Sequence, residues 1–278
     1  MIGIDISEHN GYVDFEKVKN NGIDFVILRL GWIGNKENHT LDKYFLDYYN
    51  RAKLVGLQIG VYVYSYCKSI DTMRSGANWA INKIKENNIN LDKAMFIDME
   101  DNTIIECGKE ILTNQVVEFC KIIENNGIKA GVYANKNWFE NYLDINKLIS
   151  YKIWLAEWNE KENHSANFKV DLWQYSSNGS VEGVTGRVDM NKCLNCQKTP
   201  ETTEEDKKEG FEVKMYVNGT SREDVFQDSD CKTIIGYLHP HEIAECYGII
   251  NNKALIVYNR DNSNYKKAGF VKWLGGIR

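Results

Sequence analysis

Between residue 1 and about residue 196 the chain alternates short β-rich runs with longer stretches of helical periodicity, and this alternation limits its possible folds more than any other feature. Strand-like runs fall near 2–6, 24–30, 58–66, 94–100, 128–134, 151–158 and 170–176. Between them, around 41–55, 71–87 and 112–126, apolar side chains recur three and four apart, the spacing that lines one face of a helix. Strands joined by helical crossovers pair in parallel, so the pattern predicts a parallel sheet covered by helices. Gly22, Gly56 and Gly127 stand at or near the ends of helical runs, where a left-handed residue closes the last turn. The fold class expected is α/β, a β/α barrel or close relative over residues 1–196, with its active site at the C-terminal ends of the strands.

Residues 197–210, QKTPETTEEDKKEG, hold no apolar side chain except proline and read as a linker. Beyond them, residues 211–278 break into strand-like pieces, Val213–Val217, Thr233–Leu238, Ala244–Ile250, Ala254–Tyr258 and Gly269–Leu274, separated by Gly, Asn, Asp and Ser. A small all-β barrel is expected there.

Charge and composition exclude several classes. A net charge of -5 with no basic cluster argues against a nucleic-acid binder, and no apolar run approaches the length a bilayer needs. The N-terminus, Met1-Ile2-Gly3-Ile4-Asp5, lacks the features of a signal peptide, so the expectation is synthesis in the cytoplasm and release to an outside target by lysis or a helper. Seven cysteines, an odd number, fit reduced thiols better than a disulfide framework. Cys193-x-x-Cys196 has the spacing of a metal or redox pair, but with no second Cys or His pair at zinc spacing nearby it reads as incidental. The five histidines are scattered, and His239-Pro-His241 reads as a turn. No cofactor and no metal are expected.

Ala94-Met95-Phe96-Ile97-Asp98-Met99-Glu100 carries the chemistry. It runs from apolar residues straight into two carboxylates spaced i, i+2, which on a strand share one face at the end where the strand meets a loop. Glycoside hydrolysis needs such a pair: one acid protonates the leaving oxygen while a second negative group answers the positive charge growing on the sugar. Asp5 ends the first strand and Asp189 the last, and first and last strands are neighbours in a closed barrel. These two acids either join the pair in one cleft or cap turns. Four carboxylates in one cleft repel one another, which raises at least one pKa toward the value a general acid requires. Tyr62, Tyr64 and Tyr66 alternate along one strand and share a face, with Tyr133, Trp154 and Trp158 of the same parity on later strands, so aromatic rings are expected against the apolar faces of sugars.

Gly3-Ile4-Asp5-Ile6-Ser7, Asn10-Gly11-Tyr12-Val13-Asp14-Phe15, Gly60-Val61-Tyr62-Val63-Tyr64, Phe96-Ile97-Asp98-Met99-Glu100, Gly131-Val132-Tyr133, Trp154-Leu155-Ala156, Trp173-Gln174-Tyr175-Ser176-Ser177 and Gly183-Val184-Thr185-Gly186-Arg187-Val188-Asp189-Met190-Asn191, taken in this order, resemble the glycoside hydrolase family 25 lysozymes, the Chalaropsis-type muramidases. The resemblance covers residues 1–196. It implies a flattened, TIM-like β/α barrel that cleaves the β-1,4 bond between N-acetylmuramic acid and N-acetylglucosamine in peptidoglycan, with Glu100 as catalytic acid and Asp98 assisting attack by the substrate's own acetamido oxygen. Asp5 and Asp189 would hold and tune that pair, and net retention is the expected outcome, with inversion the alternative. Tyr62, Tyr64, Tyr133, Trp154 and Gln174 are the expected substrate contacts. Where family members often carry a tyrosine after Trp-x-Ala, this chain has Glu157-Trp158.

The C-terminal part looks like a bacterial SH3-type domain, which implies attachment to the cell wall. With nine Lys or Arg against eight Asp or Glu over 211–278, bulk charge does not drive that attachment. An aromatic groove using some of Tyr216, Tyr237, Tyr247, Tyr258 and Trp273 is expected instead. The whole reads as a phage endolysin or bacterial autolysin. Two other readings compete: a wall-binding protein with a silent barrel, and a phosphodiesterase barrel whose acids hold a divalent cation.

Overall fold

The computed structural model describes residues 1–35, 38–159, 163–196, 214–218, 221–250, 253–259, 266–272 and 276–277. The chain divides into two compact units, Met1–Gln197 and Lys198–Arg278; the expected linker at 197–210 and Trp273 lie outside the described residues.

In the first unit the strands are β1 (Ile2–Ile6), β2 (Phe25–Asn35), β3 (Asn38–Leu41), β4 (Gln58–Ser65), β5 (Met95–Asp98), β6 (Ala130–Asn135), β7 (Lys152–Ala156), β8 (Leu172–Gly179) and β9 (Val188–Cys193). They pair in the order β1-β9-β8-β7-β6-β5-β4-β2, and β2 returns to β1, so eight strands close a barrel; β3 hangs on the outside of β2 as a hairpin partner. Seven strands run parallel. β9 is antiparallel to both β8 and β1. Asp189 therefore lies near the start of its strand, a correction to its expected place at a strand end. Because β9 runs backwards, its start still meets the C-terminal end of β1, where Asp5 and Asp189 are register partners.

The helices α1 (Phe15–Asn20), α2 (Phe45–Leu54), α3 (Ile70–Glu86), α4 (Gly108–Asn125) and α5 (Lys136–Asn141) follow β1, β3, β4, β5 and β6. The three longer ones match the periodic runs. α1 and α5 have six residues each, too few to repeat an apolar stripe, and are started instead by Asp14 and Asn135, whose side chains accept the N–H of Lys17 and Trp138. Gly22, Gly56 and Gly127 take φ of 83°, 70° and 78° past the ends of α1, α2 and α4, as expected of left-handed caps.

Strand parity sorts the barrel's side chains into two layers. Ile4, Ile6, Val26, Leu28, Val61, Val63, Met95, Ile97, Val132, Leu155 and their neighbours form the large core that also takes up the helices. Phe25, Ile27, Ala94, Phe96, Tyr133, Trp154 and Leu172 form a separate cluster of the opposite parity, which fills the barrel. Gly131 makes room in that interior: a Cβ there would fall 2.4 Å from the Lys152 carbonyl oxygen and 2.7 Å from the Phe96 ring. Gly131→Ala should therefore cost about 1–3 kcal/mol by overpacking, read as a lower denaturant midpoint at unchanged slope.

One sequence expectation is overturned here. Cys193 and Cys196 form a disulfide, while Cys67, Cys107, Cys120 and Cys231 are free thiols. The end of β9 folds its two following residues into a tight loop that brings the sulfurs together, so the pair is bonded where spacing alone left it incidental.

The second unit is a sheet of seven strands, β10 (Lys214–Val217), β11 (Glu223–Phe226), β12 (Ile234–Leu238), β13 (Ile243–Ile250), β14 (Lys253–Asn259), β15 (Lys266–Lys272) and β16 (Gly276–Ile277), with every neighbouring pair antiparallel. Its core includes Tyr216, Val225, Leu238, Ala254, Ile256 and Val271. No helix among the described residues is long and apolar enough to cross a membrane.

Candidate active site

The C-terminal end of the barrel gathers the four carboxylates expected to meet. Asp5 ends the interior row of β1, Asp98 closes β5, and Asp189 stands opposite Asp5. The Met99 N–H bonds the Tyr133 carbonyl and extends the strand pairing by one residue, so Glu100 follows on Asp98's side.

Asp5 is the best-anchored member. Its Oδ2 accepts the Asn191 side-chain N–H at 2.7 Å and that of Gln174 at 2.9 Å. The Asn191 Oδ1 in turn accepts the Trp154 indole N–H at 2.8 Å, and the Gln174 Oε1 accepts from the Tyr133 hydroxyl and the Trp158 indole. Indole nitrogens only donate, so each amide must turn its oxygen to the tryptophan and its NH₂ to Asp5. The network has a single sense, and it locks the carboxylate in place.

Burial dominates the electrostatics. It pushes the Asp5 carboxyl up to about 7, reinforced by the Asp189 charge and opposed by the two amide hydrogen bonds. Asp98, 4% exposed, is raised well above the usual carboxylate range by burial, then by Glu100 and Asp5, while Arg29 opposes the rise. Its Oδ1 is buried without a hydrogen-bond partner. Burial also raises Glu100, with Asp189 and Asp101 adding to it, and raises Asp189. The site thus stores protons at pH values where free carboxylates have lost them, as general acid catalysis requires.

A stability signature follows. Over the window from about pH 4 to about pH 7 folded Asp5 keeps a proton that the unfolded chain has released, so its contribution to stability falls as pH rises through that window. Asp5→Asn should consequently gain on the wild type between pH 4 and pH 7 in urea-midpoint measurements across that range. A pH-independent difference would contradict the raised pKa.

Two residues at this end carried no expectation as site residues. Asn191 was legible as the i+2 partner of Asp189 on one strand. Arg29 continues the interior row Phe25, Ile27 and was legible as a charge ending an apolar strand; it donates to Asp42 Oδ2 at 2.8 Å, pairs with Glu8 at 3.5 Å and lies 5.2 Å from the Trp32 ring centroid.

The aromatic expectations divide. Tyr62 and Tyr64 are partly exposed, and the Tyr64 hydroxyl donates to Asp101 at 3.1 Å, with the Tyr66 ring 4.9 Å away. Trp154 and Gln174 are 1% and 2% exposed. They offer no surface to a sugar, so their expected direct contact is corrected to support from beneath. Tyr133, 7% exposed, packs edge-on against Trp154 at 4.5 Å and belongs with them. Trp158, at 59% exposure, presents its ring to solvent. Among the described residues, no group of three His, Cys, Asp or Glu side chains is placed to hold a metal ion.

Comparison with known proteins agrees with this geometry. The autolytic lysozyme of Clostridium acetobutylicum is 31% identical over 196 residues, 69% of this chain and 55% of that protein. The modular autolysin LytC of Streptococcus pneumoniae, solved in complex with a synthetic peptidoglycan ligand, matches with a TM-score of 0.61 at 25% identity, over 68% of this chain and 46% of that one. The spore cortex lytic enzyme SleM of Clostridium perfringens matches over 100% of this chain and 85% of its own at a TM-score of 0.62; at 16% identity this likeness is one of fold. The chain spans about half the length of the first two relatives. The model of glycosyl hydrolases family 25 matches residues 4–184, a span that includes Asp5, Asp98 and Glu100 and stops short of Asp189, and with well over half of its length so matched the chain belongs to that family.

Proposed function

We propose that the chain is a peptidoglycan muramidase, cleaving the β-1,4 bond between N-acetylmuramic acid and N-acetylglucosamine. The observation that carries this reading is the pairing of two acids with raised pKa values, Asp98 and Glu100, at the end of one barrel strand in a family 25 fold. Glu100, the less buried of the two, protonates the glycosidic oxygen as the bond breaks. Asp98, with one carboxylate oxygen unpartnered, accepts the acetamido N–H of the substrate and so drives its carbonyl oxygen onto the anomeric carbon. Asp5 and Asp189 set the field around the pair. Tyr62, Tyr64 and the exposed Trp158 take the sugar faces, while Tyr133, Trp154 and Gln174 hold the walls.

The second unit is proposed as an SH3-like module for cell-wall attachment. Its exposed Tyr237, with the Arg222 guanidinium 4.7 Å from the ring centroid and His239 edge-on at 5.2 Å, offers an aromatic surface suited to a glycan or peptide stem. A wall-bound module would raise the local concentration of the catalytic unit on an insoluble substrate.

Digestion of purified peptidoglycan, followed by mass spectrometry of the soluble fragments, tests the central reading. Reducing-end muramic acid is expected, and saturating EDTA should leave the yield unchanged. Reducing-end glucosamine would make the enzyme a glucosaminidase. Inhibition by EDTA that a divalent ion reverses would instead favour the phosphodiesterase reading.

A further inference from the structure

The opposite end of the barrel carries chemistry that glycoside cleavage leaves unused. A cavity of about 430 Å³ opens there among Lys93, Phe96, Lys129, Lys152, Cys193 and Cys196, so both cysteines of the disulfide line it. The Lys93 ammonium sits 3.2 Å from Cys196 Sγ, 3.9 Å from Met1 Sδ and 5.0 Å from the Phe25 ring centroid. The acids nearby are committed elsewhere: Asp92 binds Lys53 and the Ile59 N–H, Asp24 accepts the Ile2 N–H, and Asp171 binds Lys152 and Lys169. Among the described residues Lys93 has no carboxylate partner within ion-pair distance, and its closest polar neighbour is sulfur.

We propose that Cys193–Cys196 is a thiol–disulfide exchange site open to small dithiols, with Lys93 stabilising Cys196 as the thiolate. A dithiol enters the cavity and one of its thiolates attacks Cys193 Sγ. A mixed disulfide forms, the Cys193–Cys196 bond breaks, and its electron pair leaves on Cys196 Sγ beside the ammonium. The dithiol's second thiolate then displaces Cys193. The dithiol ends oxidised to a disulfide, Cys193 ends as a thiol, Cys196 ends as a thiolate, and one proton is released. The cation favours this direction of attack because the better-stabilised thiolate leaves faster. Burial lowers the Lys93 pKa below the usual lysine value, aided by the neighbouring charge of Lys129 and opposed by Asp92 and Asp24.

The test uses the full chain and does not depend on its glycosidase activity. The air-oxidised protein is reduced under native conditions with dithiothreitol, freed of it anaerobically, and alkylated with iodoacetamide across about pH 5 to about pH 9, with each cysteine followed by peptide mass spectrometry. Cys196 should react at about pH 7 roughly 10-fold faster than the partly exposed Cys107 and Cys231, and ahead of Cys193. Lys93→Met should slow Cys196 about 10-fold and move its pH midpoint upward, while Lys93→Arg restores the wild-type profile. Matching thermal melts of the oxidised proteins establish that the variants are folded. Three results would overturn the proposal: a native disulfide that dithiothreitol leaves intact, Cys196 reacting no faster than Cys193, Cys107 and Cys231, or a folded Lys93→Met variant with the wild-type rate. The wild-type comparison among cysteines decides the matter even if the Met variant does not fold.

Discussion

Glu100→Gln is expected to lower turnover on soluble glycans by at least about 10²-fold while wall binding stays near wild type and thermal stability does not fall. The change is isosteric and removes only the ability to deliver a proton. No hydrogen bond among the described residues anchors the Glu100 side chain, so the substitution strands no partner. The retained glutamine also relieves the repulsion that Asp189 and Asp101 impose on the carboxylate. Initial rates on a short soluble glycan, set beside wall pull-down and a thermal melt, separate the chemical loss from unfolding. Near-wild-type turnover would remove Glu100 from the role of acid.

Asp98→Asn should cost a comparable factor, at least about 10²-fold, but with a different companion effect. Asp98 is raised well above the usual range chiefly because its charge is buried, and its Oδ1 has no donor to compensate. Neutralising it removes that penalty above the ordinary carboxylate pKa, so the variant should melt higher than wild type near pH 8, by roughly 1 kcal/mol or more. A slower but sturdier enzyme is the expected pair of results, since the strain of holding a carboxylate there serves chemistry and opposes folding. Loss of activity together with lower stability would mean that Asp98 supports the fold instead.

Much of this was legible in the sequence because the barrel repeats itself. Seven strands and three helices carry enough residues to show a period of two or 3.6, and parity along those strands put Asp98 with Glu100, and Tyr62 and Tyr64 with Tyr133 and Trp154, before any coordinates. What escaped was short or reversed. α1 and α5 are single capped turns and a half, and β11, Glu223–Phe226, begins with two acids that mask its strand character. The direction of β9 is set by pairing with β1 and β8, which no local pattern records. Depth was also illegible: Trp154 and Tyr62 share a parity, yet one is sealed beneath the site and the other reaches its surface, because depth depends on how far each strand runs before its loop. The disulfide escaped for a related reason, since it depends on a turn after β9 that spacing alone does not specify.

The antiparallel ninth strand has a consequence in time. Asp5 leaves the ribosome early in this unit, and the Asn191 amide that anchors it lies 186 positions later. Until that late segment arrives, β1 lacks one neighbour, the ring of strands stays open, and the first acid stands without its anchor. Helices and adjacent strand pairs can form as they emerge, but the long-range seam must wait for the end of the unit, the slow kind of contact in any folding reaction. A chain interrupted anywhere before the ninth strand therefore lacks a closed barrel, and the carboxylate cluster is completed in a single step with the last strand.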